Sequence, residues 1–416
     1  MDTVVLLSGT TRGDTLENLG RSLGRDFVSH GIKFIELSMR DEAHLIESIK
    51  LVNFEQVKLI FSWASMGMGL TVRRENGTYF DLWHELRIPF VTFHGDSPAY
   101  FFDRHVVKDS KFITLYGFAE HCELRKRLPL VRGPIDSCWP IIADDTPVDS
   151  LDLEAKRNGK ILFLKNGKDP NELRRLWTNT LEPFPLQIIF ELASYLENHL
   201  DECAGNQIDD LITKYFINCG YDLDHLLKLR LFLIAQLDDY IRAVKCTRMI
   251  EALLDLPVEI RGNNWSHVDF TGKKATYIDE CDYVKSVGLI RNSLGLIDMS
   301  PNTVSRPHDR FVRACGAHTF CLTNEQQFLE ELPNREHLSF RFDKESIQQR
   351  VAAALDHRAA TVDMGIEVAE AYRKKHPSEE LIVQMLKYAS LAKLDNLRQR
   401  PHGSQDFFVW PPSSLQ

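Results

Sequence analysis

Short apolar runs alternate with helix-like stretches along the first third of the chain. Thr3-Val4-Val5-Leu6-Leu7 reads as a buried strand that stops at Ser8-Gly9-Thr10-Thr11-Arg12-Gly13-Asp14, and helical spacing then runs from Thr15 through Phe27. Further apolar runs at 32–37, 57–63, 90–93 and 112–116 predict four more strands, the fourth strand of the series being introduced by Pro89. Continuous apolar strands joined by helical connections imply a parallel sheet covered on both faces. This is the doubly wound α/β pattern.

From 132 to 147 the pattern turns irregular, with three prolines and Asp144-Asp145, and reads as an interdomain linker. A new strand at 160–164 ends in Lys165-Asn166-Gly167-Lys168. Residues 186–256 then look helical throughout, with Ile188, Leu192, Leu196 and Leu200 at helical spacing. Strand-like runs resume at 258–261, 275–278, 295–299 and 319–323, and two or three helices follow. The tail from Arg400 is rich in polar and turn residues and reads as loose. The expected organisation is therefore an α/β protein of two Rossmann-like doubly wound domains. Residues 1–147 form the first and 148–385 the second, which carries a helical insertion at about 181–257; a C-terminal helix and tail occupy 386–416. Tandem domains of this kind place a cleft at the carboxyl ends of their strands, where ligands bind.

Composition narrows the picture. The 416 residues are 44% hydrophobic and 26% charged, ordinary values for a globular protein. A net charge of −9 argues against a general nucleic-acid binder, since phosphate-backbone affinity requires a basic surface. The eight cysteines are scattered without a CxxC pair, which fits reduced thiols in a cytoplasmic setting. No apolar run is long enough for a signal-peptide core or a bilayer span. HExxH, GxSxG and clustered His/Cys ligands are absent, and Asp-rich pairs such as Asp209-Asp210 and Asp238-Asp239 fall on helices, so no catalytic metal is expected.

Candidate chemistry concentrates in 300–324. A polar turn there runs through His308-Asp309-Arg310 into a helix-compatible stretch and ends in a β-prone segment. Backbone amides at a helix start are unpaired and attract phosphate. Arg310 adds a guanidinium fork and His308 another donor, while Asp309 suits a cap or a ribose hydroxyl. Arg261 ends a strand before the Gly262-Asn263-Asn264-Trp265 turn, and Lys165 occupies the matching position after the first strand of the second domain. In the first domain His94-Gly95-Asp96-Ser97-Pro98 closes an apolar strand, a setting where Asp96 or His94 would deprotonate an acceptor hydroxyl. The loop at 8–14 fits neither GxGxxG nor GxxxxGK[ST]. Ser65-Met66-Gly67-Met68-Gly69 reads as a flexible loop whose methionines fill core.

Three segments carry a family likeness: "VEIRGNNW", "GLIDMSPNTVSRPHDRFVRACGAHTFCLTN" and, in the first domain, "IPFVTFHGDSPAY". Together they resemble glycosyltransferases of the two-Rossmann (GT-B) architecture, specifically the spore-coat maturation (CgeB-like) group. The resemblance implies an enzyme that moves a sugar from a nucleotide-diphosphate donor to a glycan, lipid or protein acceptor without a metal or other cofactor. His308, Asp309 and Arg310 would hold the donor, with Arg261, Lys165, Asn302 and Arg313 as further contacts. Asp96 or His94 would serve the acceptor. Arg313 stands where related enzymes often carry Glu, and His318 where they carry Gly. The helical insertion also lies outside the family pattern. A sugar-nucleotide epimerase and a non-catalytic scaffold of the same fold are the competing readings; an epimerase would need a set of acidic groups around the sugar, which the sequence does not place.

Overall fold

The computed structural model describes residues 1–9, 14–73, 76–105, 112–129, 135–142 and 146–397. The loop at 10–13, the Arg132-Gly133-Pro134 and Asp144-Asp145 parts of the expected linker, and the tail from Arg400 lie outside the described residues.

The chain divides into two compact units, Met1–Ile142 with His376–Gln416, and Ala143–Lys375. The first contains β1 (Thr3–Ser8), α1 (Thr15–Ser29), β2 (Lys33–Ser38), α2 (Glu42–Lys50) and β3 (Val57–Trp63). An antiparallel hairpin of β4 (Thr71–Arg73) and β5 (Tyr79–Asp81) follows, then α3 (Leu82–Leu86), β6 (Phe90–His94), β7 (Phe112–Tyr116), α4 (Ala119–Arg127) and β8 (Ile135–Cys138). Six strands form one parallel sheet in the order β2-β1-β3-β6-β7-β8. Val4, Val5, Leu6, Leu7, Leu59 and Ile60 are fully buried, as expected for central strands covered on both faces. Strand β8 corrects the reading of 132–147 as linker throughout. Its Ile-Asp-Ser-Cys sequence has too little apolar content to signal a strand, yet its register on β7 (Ile113 opposite Ile135) makes it the sheet's last member. There Ser137 is buried and its Oγ lies 3.0 Å from Tyr388 Oη.

The second unit runs α5 (Leu153–Asn158), β9 (Ile161–Leu164), α6 (Pro170–Thr180), α7 (Pro183–Glu197), α8 (Gln207–Asn218), α9 (Leu227–Leu253), β10 (Glu259–Arg261) and β11 (Thr276–Ile278). It continues through α10 (Tyr283–Arg291), β12 (Gly295–Ile297), α11 (Asp309–Gly316), β13 (Phe320–Asn324), α12 (Arg335–Leu338), β14 (Ser339–Phe340), α13 (Lys344–Asp356) and α14 (Arg358–Lys375). Its parallel sheet has the order β11-β10-β9-β12-β13-β14. The helical insertion comprises α7, α8 and α9, joined by α6. Helix α9 is buried on most of its circumference, Leu233, Leu237, Ile241, Met249 and Leu253 all being inaccessible, because α7, α8 and α13 pack around it.

The chain then returns to the first unit. Helix α15 (Ser378–Leu397) buries Leu381, Ile382, Met385, Tyr388, Ala389 and Ala392, a stripe at helical spacing that packs on α1, β3 and β7. Among the described residues no helix is long and apolar enough to cross a membrane.

Candidate functional site

In the second sheet the strand order reverses between β9 and β12, since β10 follows β9 on one side and β13 follows β12 on the other. Carboxyl ends of strands at such a switch point are where open α/β sheets bind ligands. Lys165 stands directly after β9 and Asp298 directly after β12. Asp298 is completely buried, and its Oδ1 accepts a bond from Arg310 Nε at 3.0 Å with His308 Nδ1 at 3.5 Å. Burial alone would raise this carboxyl group, but the opposing charges of His308 and Arg310 hold it below the usual carboxylate range.

His308 is the N-cap of α11 and makes no side-chain bond to the helix's first amides. Those amides therefore keep the partial positive charge of a helix start. His308 Nδ1 also meets Asp309 Oδ1 at 2.6 Å, and Asp309 Oδ2 accepts from Arg313 Nη2 at 2.7 Å. Arg313 Nη1 donates to Ser286 Oγ at 3.0 Å, and the guanidinium lies 5.3 Å from the Tyr283 ring centre. Asp309 is half-buried, and although burial raises it, His308 and Arg313 hold it well below the ordinary range. His308 and Arg310 keep 18% and 13% of their side-chain surfaces exposed. They are held by the buried Asp298 and the half-buried Asp309 rather than free in solvent.

Lys165 is the member without a counter-charge in direct contact. It is half-buried, and among the described residues no salt bridge or hydrogen bond reaches its Nζ. Burial lowers it to about 7, with the charges of Arg310 and of Arg242 on α9 pushing the same way. Its backbone is clamped instead. Lys165 N donates to Arg261 O at 2.9 Å, and Lys165 O accepts from Trp265 Nε1 at 3.0 Å. A Cβ on Gly262 would stand 2.0 Å from that carbonyl oxygen, so only glycine lets the β10 turn approach this closely.

The structure thus brings Lys165, His308, Asp309, Arg310 and Arg313 into one neighbourhood. Two expected donor contacts are occupied elsewhere. Arg261 Nε donates to Glu259 Oε1 on its own strand at 2.6 Å. Asn302 is buried in the loop between β12 and α11, and its side-chain amide is bonded to α9 at both ends. His318, at the glycine position of the family pattern, has φ 49°, the left-handed conformation that glycine adopts readily. Its ring compensates with bonds to Thr146 O at 2.9 Å and to Arg373 Nη2.

In the first unit Asp96 is exposed two residues beyond β6. His94 is the last residue of β6 and is buried. Its Nε2 lies 3.1 Å from Ser65 Oγ, and Ser65 Oγ donates to Arg104 O, which leaves the imidazole as the donor in the pair. The His94 ring lies 4.1 Å from that of His105, tilted 36° to it, and His105 Nδ1 is 2.9 Å from Tyr116 Oη. Burial, then Arg104 and His121, lowers His94 to about 3, so it is a neutral interior group. The loop after β3, expected to be flexible, is instead pinned. Ala64 and Ser65 are successive left-handed residues (φ 49° and 57°), and Ser65 N donates to Thr92 Oγ1 at 2.7 Å. Met68 packs on the apolar core, as its expected filling role requires.

The sequence reading passed over Asp298, although a carboxylate closing the apolar run Gly295-Leu296-Ile297 was a usable signal. Ser286 and Lys245 gave no signal, since helical periodicity does not separate them from ordinary surface positions, and Asp238, expected only as part of an acidic pair on a helix, instead accepts from Asn302 Nδ2.

No family model matches the sequence, and neither does any curated protein. Solved structures do resemble it. An alpha-glucosyltransferase (AGT) in complex with UDP matches with a TM-score of 0.52 at 9% identity, covering 94% of this chain and 100% of that one. The T4 phage BGT in complex with its UDP-glucose substrate matches with a TM-score of 0.50 at 9% identity, covering 94% and 99%. Likeness at this identity is one of fold. The chain consists of two Rossmann-like units, a fold it shares with these glucosyltransferase structures.

Proposed function

We propose that the protein is a metal-independent glycosyltransferase that takes a sugar from a nucleotide-diphosphate donor, of the kind its 258–324 motifs suggest for the spore-coat maturation group. One observation carries the reading. Lys165, lacking a carboxylate in direct contact, stands beside Arg310 and the uncapped start of α11 at the switch point of the second sheet. That combination of a lysine, a guanidinium and helix amides suits a diphosphate. Both structural neighbours carry UDP or UDP-glucose, so uridine donors are the first to try.

In the proposed reaction the acceptor oxygen bonds to the anomeric carbon as the bond from that carbon to the diphosphate oxygen breaks. The electron pair leaves with the diphosphate, whose added negative charge Lys165, Arg310 and the α11 amides stabilise. Asp96 takes the acceptor's hydroxyl proton. His94, a buried neutral imidazole already bonded to Ser65, is not the base in this proposal. Asp309 and Arg313 keep His308 oriented.

Incubation with UDP-glucose and other nucleotide sugars, with and without candidate glycan, lipid and protein acceptors, tests this. The expected result is nucleotide-diphosphate release that depends on acceptor, persists in EDTA and is lost in Asp96→Asn. A changed sugar without acceptor would favour the epimerase. Absence of thermal stabilisation by any nucleoside diphosphate at millimolar concentration would favour the scaffold, since ligand at 100 times its Kd adds about 2.7 kcal/mol.

A further inference from the structure

The helical insertion grips the loop that leads into α11. Asn302 lies midway along that loop at φ 43°, in the left-handed region. Its Oδ1 accepts from Lys245 Nζ at 2.8 Å, and its Nδ2 donates to Asp238 Oδ1 at 2.8 Å and to Asp238 O at 3.3 Å. Lys245 and Asp238 both belong to α9. Lys245 is itself buried, donates a second bond to Cys203 O at 2.8 Å, and lies 4.8 Å from the Phe342 ring centre. Gly205 N donates to the Asn302 carbonyl at 2.8 Å, so the segment joining α7 to α8 holds the same residue from another side.

Packing alone does not call for this arrangement. A buried ammonium carries a large desolvation cost, and an apolar side chain of similar length would fill the space at less. Here the ammonium's bonds go to a carbonyl and to the amide of a left-handed residue in one particular loop. Asp298 and His308 are the two ends of that loop, and Arg310 lies just beyond it.

We propose that Lys245 and Asp238 act through Asn302 as positioning residues, holding the loop at the setting in which His308 and Arg310 receive a diphosphate. The helical insertion thereby sets nucleotide affinity. This rests on the donor-site reading above.

The test is calorimetric titration of the full-length protein and its variants with uridine, guanosine, cytidine and adenosine diphosphates, alongside melting temperatures. Asn302→Gly keeps the left-handed backbone and removes only the side-chain link. Lys245→Met removes the charge at similar length. Each variant is expected to bind the preferred diphosphate about tenfold more weakly. The double variant is expected to be no weaker than the worse single one, because both act on one link. A merely structural role would lower melting temperatures and leave affinity unchanged. Affinity within twofold of wild type in Asn302→Gly overturns the proposal even where Lys245→Met fails to fold, and so does strict additivity in the double variant. If the wild-type protein binds none of the four diphosphates, the donor-site reading fails first and this inference falls with it.

Discussion

Asp298 shows how one buried carboxylate organises the candidate site. It fixes Arg310 through Nε at 3.0 Å and draws in His308, while Arg310 Nη2 donates to Met299 O at 3.4 Å, so Nη1 is the nitrogen left oriented for a ligand. Replacing Arg310 with Ala should remove charge-assisted bonds, each worth about 1.5–3 kcal/mol, and weaken diphosphate binding at least tenfold in a titration. Unchanged affinity would take Arg310 out of the site. Lys165 supplies a pH signature. Burial, then Arg310, lowers it to about 7, so the ligand-free protein loses this charge as pH rises through 7. Bound diphosphate favours the charged form, and affinity should therefore fall between pH 7.5 and 9.5, where the phosphate itself no longer titrates. Binding near pH 8 should take up a proton, read as a buffer-dependent heat, and Lys165→Met should abolish both effects. The stability linkage has its own sign. Above pH 7 the unfolded chain binds this proton more tightly, so the lysine's contribution to folding becomes more favourable as pH rises from 7 towards 10.5.

At the scale of elements, the β9 and β10 turns are locked face to face. Gly262→Ala would press a Cβ into the Lys165 carbonyl, and denaturant unfolding should show a loss of roughly 1–3 kcal/mol together with weaker nucleotide binding. Normal stability in that variant would mean the turn relaxes freely. Most strands were legible because continuous apolar runs such as 57–63 can satisfy burial on both faces only inside a parallel sheet. Strand β8 was not, since Ile135-Asp136-Ser137-Cys138 gains its place from β7 and from Tyr388, a residue far along the chain. For the site, the His308-Asp309-Arg310 start of α11 was readable from its polar turn running into a helix-compatible stretch, although the N-cap is His308, without a side-chain bond, and Asp309 spends its carboxylate on His308 and Arg313 instead of capping. The engagement of Asn302 and Arg261 by α9 and Glu259 was not, because a side chain's partner across elements leaves no local trace.

For the whole molecule, a net charge of −9 hides a local group of cations, Lys165, Arg242 and Arg310, all acting on the buried Cys246 thiol. The buried imidazoles of the first unit govern acid behaviour. His94 and His105 are both lowered chiefly by burial, so the unfolded chain binds their protons at higher pH than the folded one. Stability is lost as pH falls from about 6.5 towards 3, each histidine steepening the decline by about 1.4 kcal/mol per pH unit. Melting curves between pH 7 and 4.5 should show this, with a shallower decline in His94→Asn; parallel declines would show that His94 does not titrate on unfolding. The central claim is tested most directly by a crystal structure of the protein with its best-binding nucleoside diphosphate. The account predicts a diphosphate over the start of α11, with Arg310 and Lys165 both at about 3 Å from its oxygens. A nucleotide bound elsewhere, leaving that helix start and both cations untouched, would contradict it.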